Sequence, residues 1–237
     1  QTQNTSTAAI LFSSGSESAP KGIELSHRNI VGNAKQISSI YHIRKNDVIL
    51  SSLPLFHAFG FTSTVMMPLI EGIPIVCHPD PTDAVAIGKL IYRHKVTVMC
   101  GTSTLYGLYT RQTRLYAEML ASLRLVVAGA EKLNNKVRQD FKAKFGHEIY
   151  EGYGATEVAP VASTNLPNQL HPNDWHLQIA HKVGTVGLPL PGTAFSIVDP
   201  QTREPLPTGE AGMVLIGGTQ VMKGYLNNPE KTAEVLI

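Results

Sequence analysis

Val96-Thr97-Val98-Met99-Cys100, the amphipathic stretch Ser103–Arg111, and then Leu125-Val126-Val127-Ala128 decide the architecture of this 237-residue chain. Both apolar runs are continuous rather than alternating with polar residues, so each reads as a strand buried on both faces. The segment between them carries a helical period. The same grammar extends in both directions. Upstream, Val48-Ile49-Leu50-Ser51-Ser52 and Pro74-Ile75-Val76-Cys77 read as strands, and residues 60–69 read as a helix with Gly72 just beyond. Residues 82–94 read as a helix with Thr82 as a candidate N-cap. Downstream, residues 134–146 read as a helix and Glu148-Ile149-Tyr150 as a strand. The expected fold is α/β, a largely parallel sheet flanked by helices. In such sheets ligands gather at the carboxyl ends of the strands.

The ends of the chain depart from this pattern. Residues 166–181 are polar, with Pro167, Pro172, three histidines and the single tryptophan, and read as an irregular excursion. Residues 182–237 carry short strand patterns between Gly and Pro turns, such as Ala194-Phe195-Ser196-Ile197-Val198 and Gly212-Met213-Val214-Leu215-Ile216. They predict a small antiparallel β subdomain after an α/β core over residues 1–165. The content is 43% hydrophobic and 16% charged, as in globular proteins. A net charge of +2 gives no electrostatic case for nucleic acid. Cys77 and Cys100 have no metal or redox spacing and read as buried reduced thiols. His171, His176 and His181 lack zinc-ligand spacing. No apolar run approaches the roughly 20 residues needed to span a bilayer.

Two loops carry chemistry. Ala8-Ala9-Ile10-Leu11-Phe12 reads as a buried strand and empties into Ser13-Ser14-Gly15-Ser16-Glu17-Ser18-Ala19-Pro20-Lys21-Gly22. Small residues expose backbone N–H groups, hydroxyls add donors and the lysine adds charge, which suits an anion. The loop is not a Walker A motif, because Gly-Lys-Ser/Thr is missing and Pro20 removes a donor. Read alone it is either a phosphate cradle or a mobile connection. The second loop, Glu151-Gly152-Tyr153-Gly154-Ala155-Thr156-Glu157, puts a ring, a hydroxyl and a carboxylate together at a strand end. It reads either as a nucleotide site or as a glycine turn with a packed tyrosine.

Together these loops resemble the adenylate-forming superfamily of acyl, aryl and aminoacyl ligases. Residues 13–22 resemble its phosphate loop, and Tyr153-Gly154-Ala155-Thr156-Glu157 its Tyr-Gly-x-Thr-Glu motif. Leu53-Pro54-Leu55-Phe56-His57 resembles its Leu-Pro-x-x-His segment. Gly129-Ala130-Glu131 falls where the family's adenine-contacting turn lies. Gly209-Glu210, Gly224-Tyr225-Leu226-Asn227 and Pro229-Glu230 resemble a further ordered motif. Within the superfamily, residues 101–104, 126–133 and 151–154 resemble the acyl-ACP synthetase half of bifunctional 2-acylglycerophosphoethanolamine acyltransferase/acyl-ACP synthetases.

The resemblance implies ATP and Mg2+ as cofactors. It implies that Ser13, Gly15, Ser16 and Lys21 hold the β- and γ-phosphates and that Thr156 touches the α-phosphate. Tyr153 would stack on adenine, Gly154 would lie against the nucleotide, Gly129, Ala130 and Glu131 would line the base, and Glu157 would bind Mg2+. His57 would sit near the acyl carboxylate, its alternative being a packing role, so the catalytic set is Thr156, Lys21 and His57. The implied activity is conversion of a long-chain fatty acid to acyl-AMP and transfer to the thiol of acyl carrier protein. The alternatives are a long-chain acyl-CoA ligase core and a catalytically incompetent nucleotide-binding module. The implied partners are a fatty acid and acyl carrier protein or CoA. The implied location is the cytoplasm, with any association with the inner membrane carried by parts of a parent protein outside this chain. Relatives carry a small C-terminal lid domain with a catalytic lysine that has no counterpart here. Neither Lys21 nor Lys132 replaces it, so the isolated chain is expected to bind nucleotide weakly without turnover.

Two substitutions refine the expectation. Ser18 stands where the family usually has glycine, which restricts positive-φ conformations of the loop. Amino-acid-activating relatives place an aspartate just after the position of Phe56, whereas this chain has His57 and no acidic residue between Leu53 and Ile70. A buried ammonium would lack a partner, which favours a fatty acid. No Gly-x-Ser-x-Gly elbow supports a hydrolase.

Overall fold

In the computed structural model of the protein, which describes residues 3–13, 20–171 and 173–237, strands and helices alternate through the centre of the chain. An opening hairpin, β1 (Thr7–Ser13) and β2 (Lys21–Ser26), leads into α1 (His27–Ile40) and β3 (Ile49–Ser51). A π-helical segment, Phe59–Met66, runs into α2 (Met67–Glu71). There follow β4 (Ile75–Cys77), α3 (Ala84–His94), β5 (Val98–Gly101), α4 (Ser103–Arg111), α5 (Ala117–Leu120), β6 (Leu125–Ala128) and α6 (Asn135–Phe145). Strand β7 (Ile149–Gly154), a 3-10 turn Thr156–Val158 and β8 (Val161–Thr164) come next. The remainder holds β9 (Gln169–Leu170), β10 (Leu177–Gln178), β11 (Leu188–Pro189), β12 (Ala194–Val198), β13 (Met213–Gly217), β14 (Gly224–Tyr225) and α7 (Pro229–Val235).

The main sheet has seven strands in the order β11-β8-β7-β6-β5-β3-β4. The run from β7 to β4 is parallel, and β8 and β11 add an antiparallel edge. Side chains alternate between two cores. Leu50, Met99, Val126 and Ile149 pack with α3, α4 and α6 through Ile87, Ile91, Tyr106, Phe141 and Phe145. Ile49, Val98, Cys100, Leu125 and Val127 pack on the other face with Ala34, Ile37, Tyr41, Phe59 and Met67. Both faces are covered, so continuous apolar strands are what this sheet requires.

The opening strand differs from its reading. β1 is not in the parallel sheet but pairs antiparallel with β2, and β14 joins on the other side of β2. Only Leu11 of its apolar run is buried, while Ile10 and Phe12 face outward. A two-strand hairpin packed on one side needs only alternate residues inside. Cys77 is exposed at the end of an edge strand, while Cys100 is buried as expected. Helix α3 is capped by Asp83, whose carboxylate accepts from the Ala86 N–H at 3.0 Å. Thr82 instead donates its hydroxyl to Asp80 at 2.6 Å. The excursion 166–181 contains the small hairpin β9–β10. The antiparallel pairing expected near the C-terminal end is β12 with β13, while β11 from the same stretch joins the seven-stranded sheet and β14 the opening hairpin. Among the described residues no helix is long and apolar enough to cross a membrane.

The amino ends of the parallel strands are tied by Asp47, which is 2% exposed. Its carboxylate accepts from the Arg44 N–H at 2.7 Å, the Thr97 hydroxyl at 2.7 Å and the Arg124 Nε at 2.8 Å, and pairs with Arg124 Nη2. Arg124 also donates to the carbonyls of Tyr41 and His42 beyond α1. Burial pushes the Asp47 carboxyl up, but the donors from Arg124, Arg44 and Thr97 together hold it below the usual range. A lowered native pKa means that its stabilisation is present above the unfolded value of about 3.9 and is lost as pH falls through the native one. Asp47→Ala is expected to cost about 3 kcal/mol in urea unfolding at neutral pH, because Arg124 loses its partner. Asp47→Asn should flatten the acid limb, so that its deficit against the parent shrinks below about pH 4.

Candidate active site

Strand β7 is longer than the sequence suggests. It runs through Glu151-Gly152-Tyr153 to Gly154, so the tight loop begins only at Ala155. The extension is antiparallel pairing with β8, with a register shift between Tyr153 and Gly154. The Ala155 N–H closes the turn by donating to the Pro160 carbonyl at 3.0 Å. A Cβ on Gly154 would lie 1.8 Å from that carbonyl oxygen, so only glycine permits the crossing. Thr156 and Glu157 then start the 3-10 turn above the strand ends.

Under this turn lies a cavity of about 160 Å³. Its inner wall is apolar, with Ile37, Tyr41, Phe59, Met67, Val98 and Val127. Its outer wall holds six of the expected residues: His57, Gly129, Ala130, Tyr153, Gly154 and Thr156. The Phe59 ring is set against the turn after β6, where a Cβ on Gly129 would meet ring atoms at 3.1 Å. Ala130 adopts a φ of 68°, which turns the chain away from the sheet. His57 is exposed, and its Nδ1 accepts from the Phe59 N–H at 3.3 Å. The neutral ring therefore carries its proton on Nε2, free to donate. The Ser63 hydroxyl also lines the wall, is buried, and has no hydrogen-bond partner among the described residues.

Four expected residues, Ser13, Lys21, Glu131 and Glu157, stand elsewhere. The Glu131 carboxylate is turned to the start of α4, accepting from the Thr104 N–H and, at 3.1 Å, from its hydroxyl. The Thr104 N–H, foremost among its donors, holds that carboxyl below its ordinary range. What Glu131 offers a base is thus its backbone. Glu157 accepts from the Tyr225 hydroxyl at 3.0 Å. Lys21 lies opposite Ser13 in the β1–β2 register, and its Nζ stands 5.5 Å from the Tyr225 ring centre. Gly15, Ser16 and Ser18 lie outside the described residues.

The donor set at Glu157 suits Mg2+, which is usually held by one or two carboxylates together with substrate phosphates. Among the described residues no cluster of three His, Cys, Asp or Glu could form a protein-only metal cage. Four residues escaped the sequence reading. Phe59 and Ser63 lie on the π-helical segment, whose residues point where a 3.6 period does not send them, and Met67 opens α2 directly after it. Glu151 borders a second cavity of about 360 Å³ with Lys132, Arg138 and Lys182. Its carboxylate accepts from the Leu133 N–H at 2.9 Å. A polar residue near the carboxyl end of a buried strand was the available signal.

The chain is similar to known proteins in sequence and in fold. Residues 1–226 match the family model described as AMP-binding enzyme. A long-chain-fatty-acid–CoA ligase of Bacillus subtilis (strain 168) is 31% identical over 97% of this chain and 39% of its own length. A 4-coumarate–CoA ligase 5 of Oryza sativa subsp. japonica is 32% identical over 96% of this chain and 42% of its own. The chain thus spans about two fifths of the length of these relatives. The crystal structure of ATP-bound MatB from Rhodopseudomonas palustris superposes with a TM-score of 0.85 at 31% identity, covering 98% of this chain and 43% of that one. With its parallel sheet, the turn over the cavity and a family match across 226 residues, the chain belongs to the AMP-binding enzyme family.

Proposed function

We propose that this chain is the ATP- and acyl-binding core of a ligase that activates a long-chain fatty acid as acyl-AMP and passes the acyl group to a thiol. The observation that carries the proposal is the shared cavity. One wall is apolar and buried, and the other presents His57, Tyr153 and Thr156 at the strand ends. An acid whose tail lies among Ile37, Val98 and Val127 would present its carboxylate to the polar wall.

The chemistry follows from that placement. A carboxylate oxygen attacks the α-phosphorus of ATP, a C–O–P link forms, and the bond to pyrophosphate breaks. Positioning and charge stabilisation dominate such transfers. The Nε2–H of His57 would hold the carboxylate, and the Thr156 hydroxyl would meet the α-phosphate. Lys21, opposite Ser13, would balance charge on the departing pyrophosphate. Tyr153, 39% exposed, offers a ring face to adenine beside Gly129 and Ala130. Mg2+ held at Glu157 would neutralise phosphate oxygens as the bond breaks. A thiol then attacks the acyl carbonyl and releases AMP.

The cavity wall favours an apolar acid. Among the described residues lining it there is no carboxylate to pair with an amino acid's ammonium. Its volume suits one ring or a short alkyl segment, so a long chain needs side chains to give way. Met67, with its flexible thioether, is the lining group best suited to that. The acceptor has two readings. The names of the relatives favour CoA, while the resemblance of residues 101–104, 126–133 and 151–154 favours acyl carrier protein.

ATP–pyrophosphate exchange by the full-length protein is expected to depend on fatty acid. Exchange driven better by amino acids would sink the proposal. Supplying carrier protein and CoA side by side then identifies the acceptor. Ser63→Ala removes an unpaired buried hydroxyl, so it should stabilise the ligand-free protein by about 1 kcal/mol. It should also tighten a saturated acid a few-fold, read by thermal unfolding and by titration calorimetry. Weakened binding of that acid would show that the hydroxyl serves a polar group of the ligand.

A further inference from the structure

Tyr225 stands between the two charged groups that the proposed reaction places at the triphosphate. Its hydroxyl donates to Glu157 Oε1 at 3.0 Å, and its ring lies under Lys21, 5.5 Å from Nζ to the ring centre. The segment that carries it is laced to both partners by backbone hydrogen bonds. The Met222 N–H donates to the Glu157 carbonyl at 2.8 Å, and the Leu226 N–H to the Gly22 carbonyl at 2.7 Å. Strand β14 pairs with β2 and sets Tyr225 opposite Ile23, two residues beyond Lys21. The Tyr225 N–H donates to the Thr232 hydroxyl at 2.9 Å, which anchors the strand to α7.

This arrangement does more than fill space. Phenylalanine would occupy the same volume and keep the ring under Lys21. Only the hydroxyl reaches Glu157. A phenol is a neutral O–H donor at physiological pH. The terminal torsion of a glutamate is broad, and a free carboxylate samples many orientations. A donor on one oxygen fixes the plane and leaves the second oxygen available.

We infer that Tyr225 is a positioning residue for the phosphate end of the site, its hydroxyl aiming the Glu157 carboxylate at a divalent cation and its ring seating Lys21. The inference rests on the nucleotide reading above. It assigns the Gly224-Tyr225 strand a task in metal–nucleotide binding besides its pairing with β2.

The test is titration of ATP into the full-length protein at Mg2+ concentrations from zero to excess, alongside unfolding without ligands. Tyr225→Phe should raise the Mg2+ concentration for half-maximal ATP binding about tenfold, as expected for a lost hydrogen bond to a charged group. Its melting temperature without ligands should stay within about 2 °C of the parent, since packing is kept. Tyr225→Leu, which also removes the ring, should in addition weaken ATP binding without Mg2+ several-fold. An unaltered Mg2+ dependence in Tyr225→Phe overturns the inference. So does an equal weakening at every Mg2+ concentration, zero included, which would mark a packing residue. Failure of the parent protein to bind ATP overturns the nucleotide reading and this inference with it. Loss of the Mg2+ effect in Glu157→Gln but not in Tyr225→Phe keeps the nucleotide reading and removes Tyr225 alone.

Discussion

A parallel strand buried on both faces must send alternate residues into two different cores, and the rest of this molecule depends on that constraint. Val98 and Cys100 belong to one core and Met99 to the other, as Leu125 and Val127 are divided from Val126. Helices must cover each face, and every connection from strand to helix must leave at the same end of the sheet. The turns after β6 and β7 are thereby brought side by side, and the cavity forms between them and the π-helical segment. At the opposite end the strands are held by the buried Asp47–Arg124 pair. One end of the sheet is thus tied by an ion pair and the other opens into the cavity.

The second organising element is the lacing of the small sheet to the large one. Helix α1 leads from β2 under the capping box of Ser26 and Asn29. The Asn29 amide also donates to the carbonyls of Thr219 and Val221, and the Asn33 amide to the carbonyl of Val161. These buried amides join the β1–β2 hairpin, the segment leading to β14 and the start of β8 into one frame. The Lys21–Tyr225–Glu157 contact needs such a frame, because none of the three is a sequence neighbour of another. Satisfied buried polar groups suit the task, since each has few alternative partners.

Much of this was legible from local pattern. The five strands of the parallel run and helix α4 appear where continuous apolar runs and a helical period place them, and α6 fills the expected segment 134–146, with Asn134 and Gly146 as its caps. Of the expected site residues, those on tight turns after buried strands proved easiest to place together, because a turn's location follows from its strand. The errors share a cause. The run Ala8–Phe12 has the composition of a buried strand, but its exposure depends on what pairs with it, and β2 and β14 leave one side open. Glu131 follows the turn after β6, yet its carboxylate pairs with the N–H and hydroxyl of Thr104 at the start of α4, a partner that adjacency in sequence does not reveal.

From sequence alone came the strand–helix alternation, the turns that line the cavity and the family, since hydrophobic period and glycine placement are local properties of the chain. Tertiary structure alone decided which polar atoms meet: the cavity wall built by a π-helical segment, the Asp47–Arg124 tie, and the Tyr225 phenol between Lys21 and Glu157. The physical reason is one of range. Backbone propensity acts over a few residues, whereas a hydrogen bond across 68 positions forms only after the sheets have set the distance between its ends.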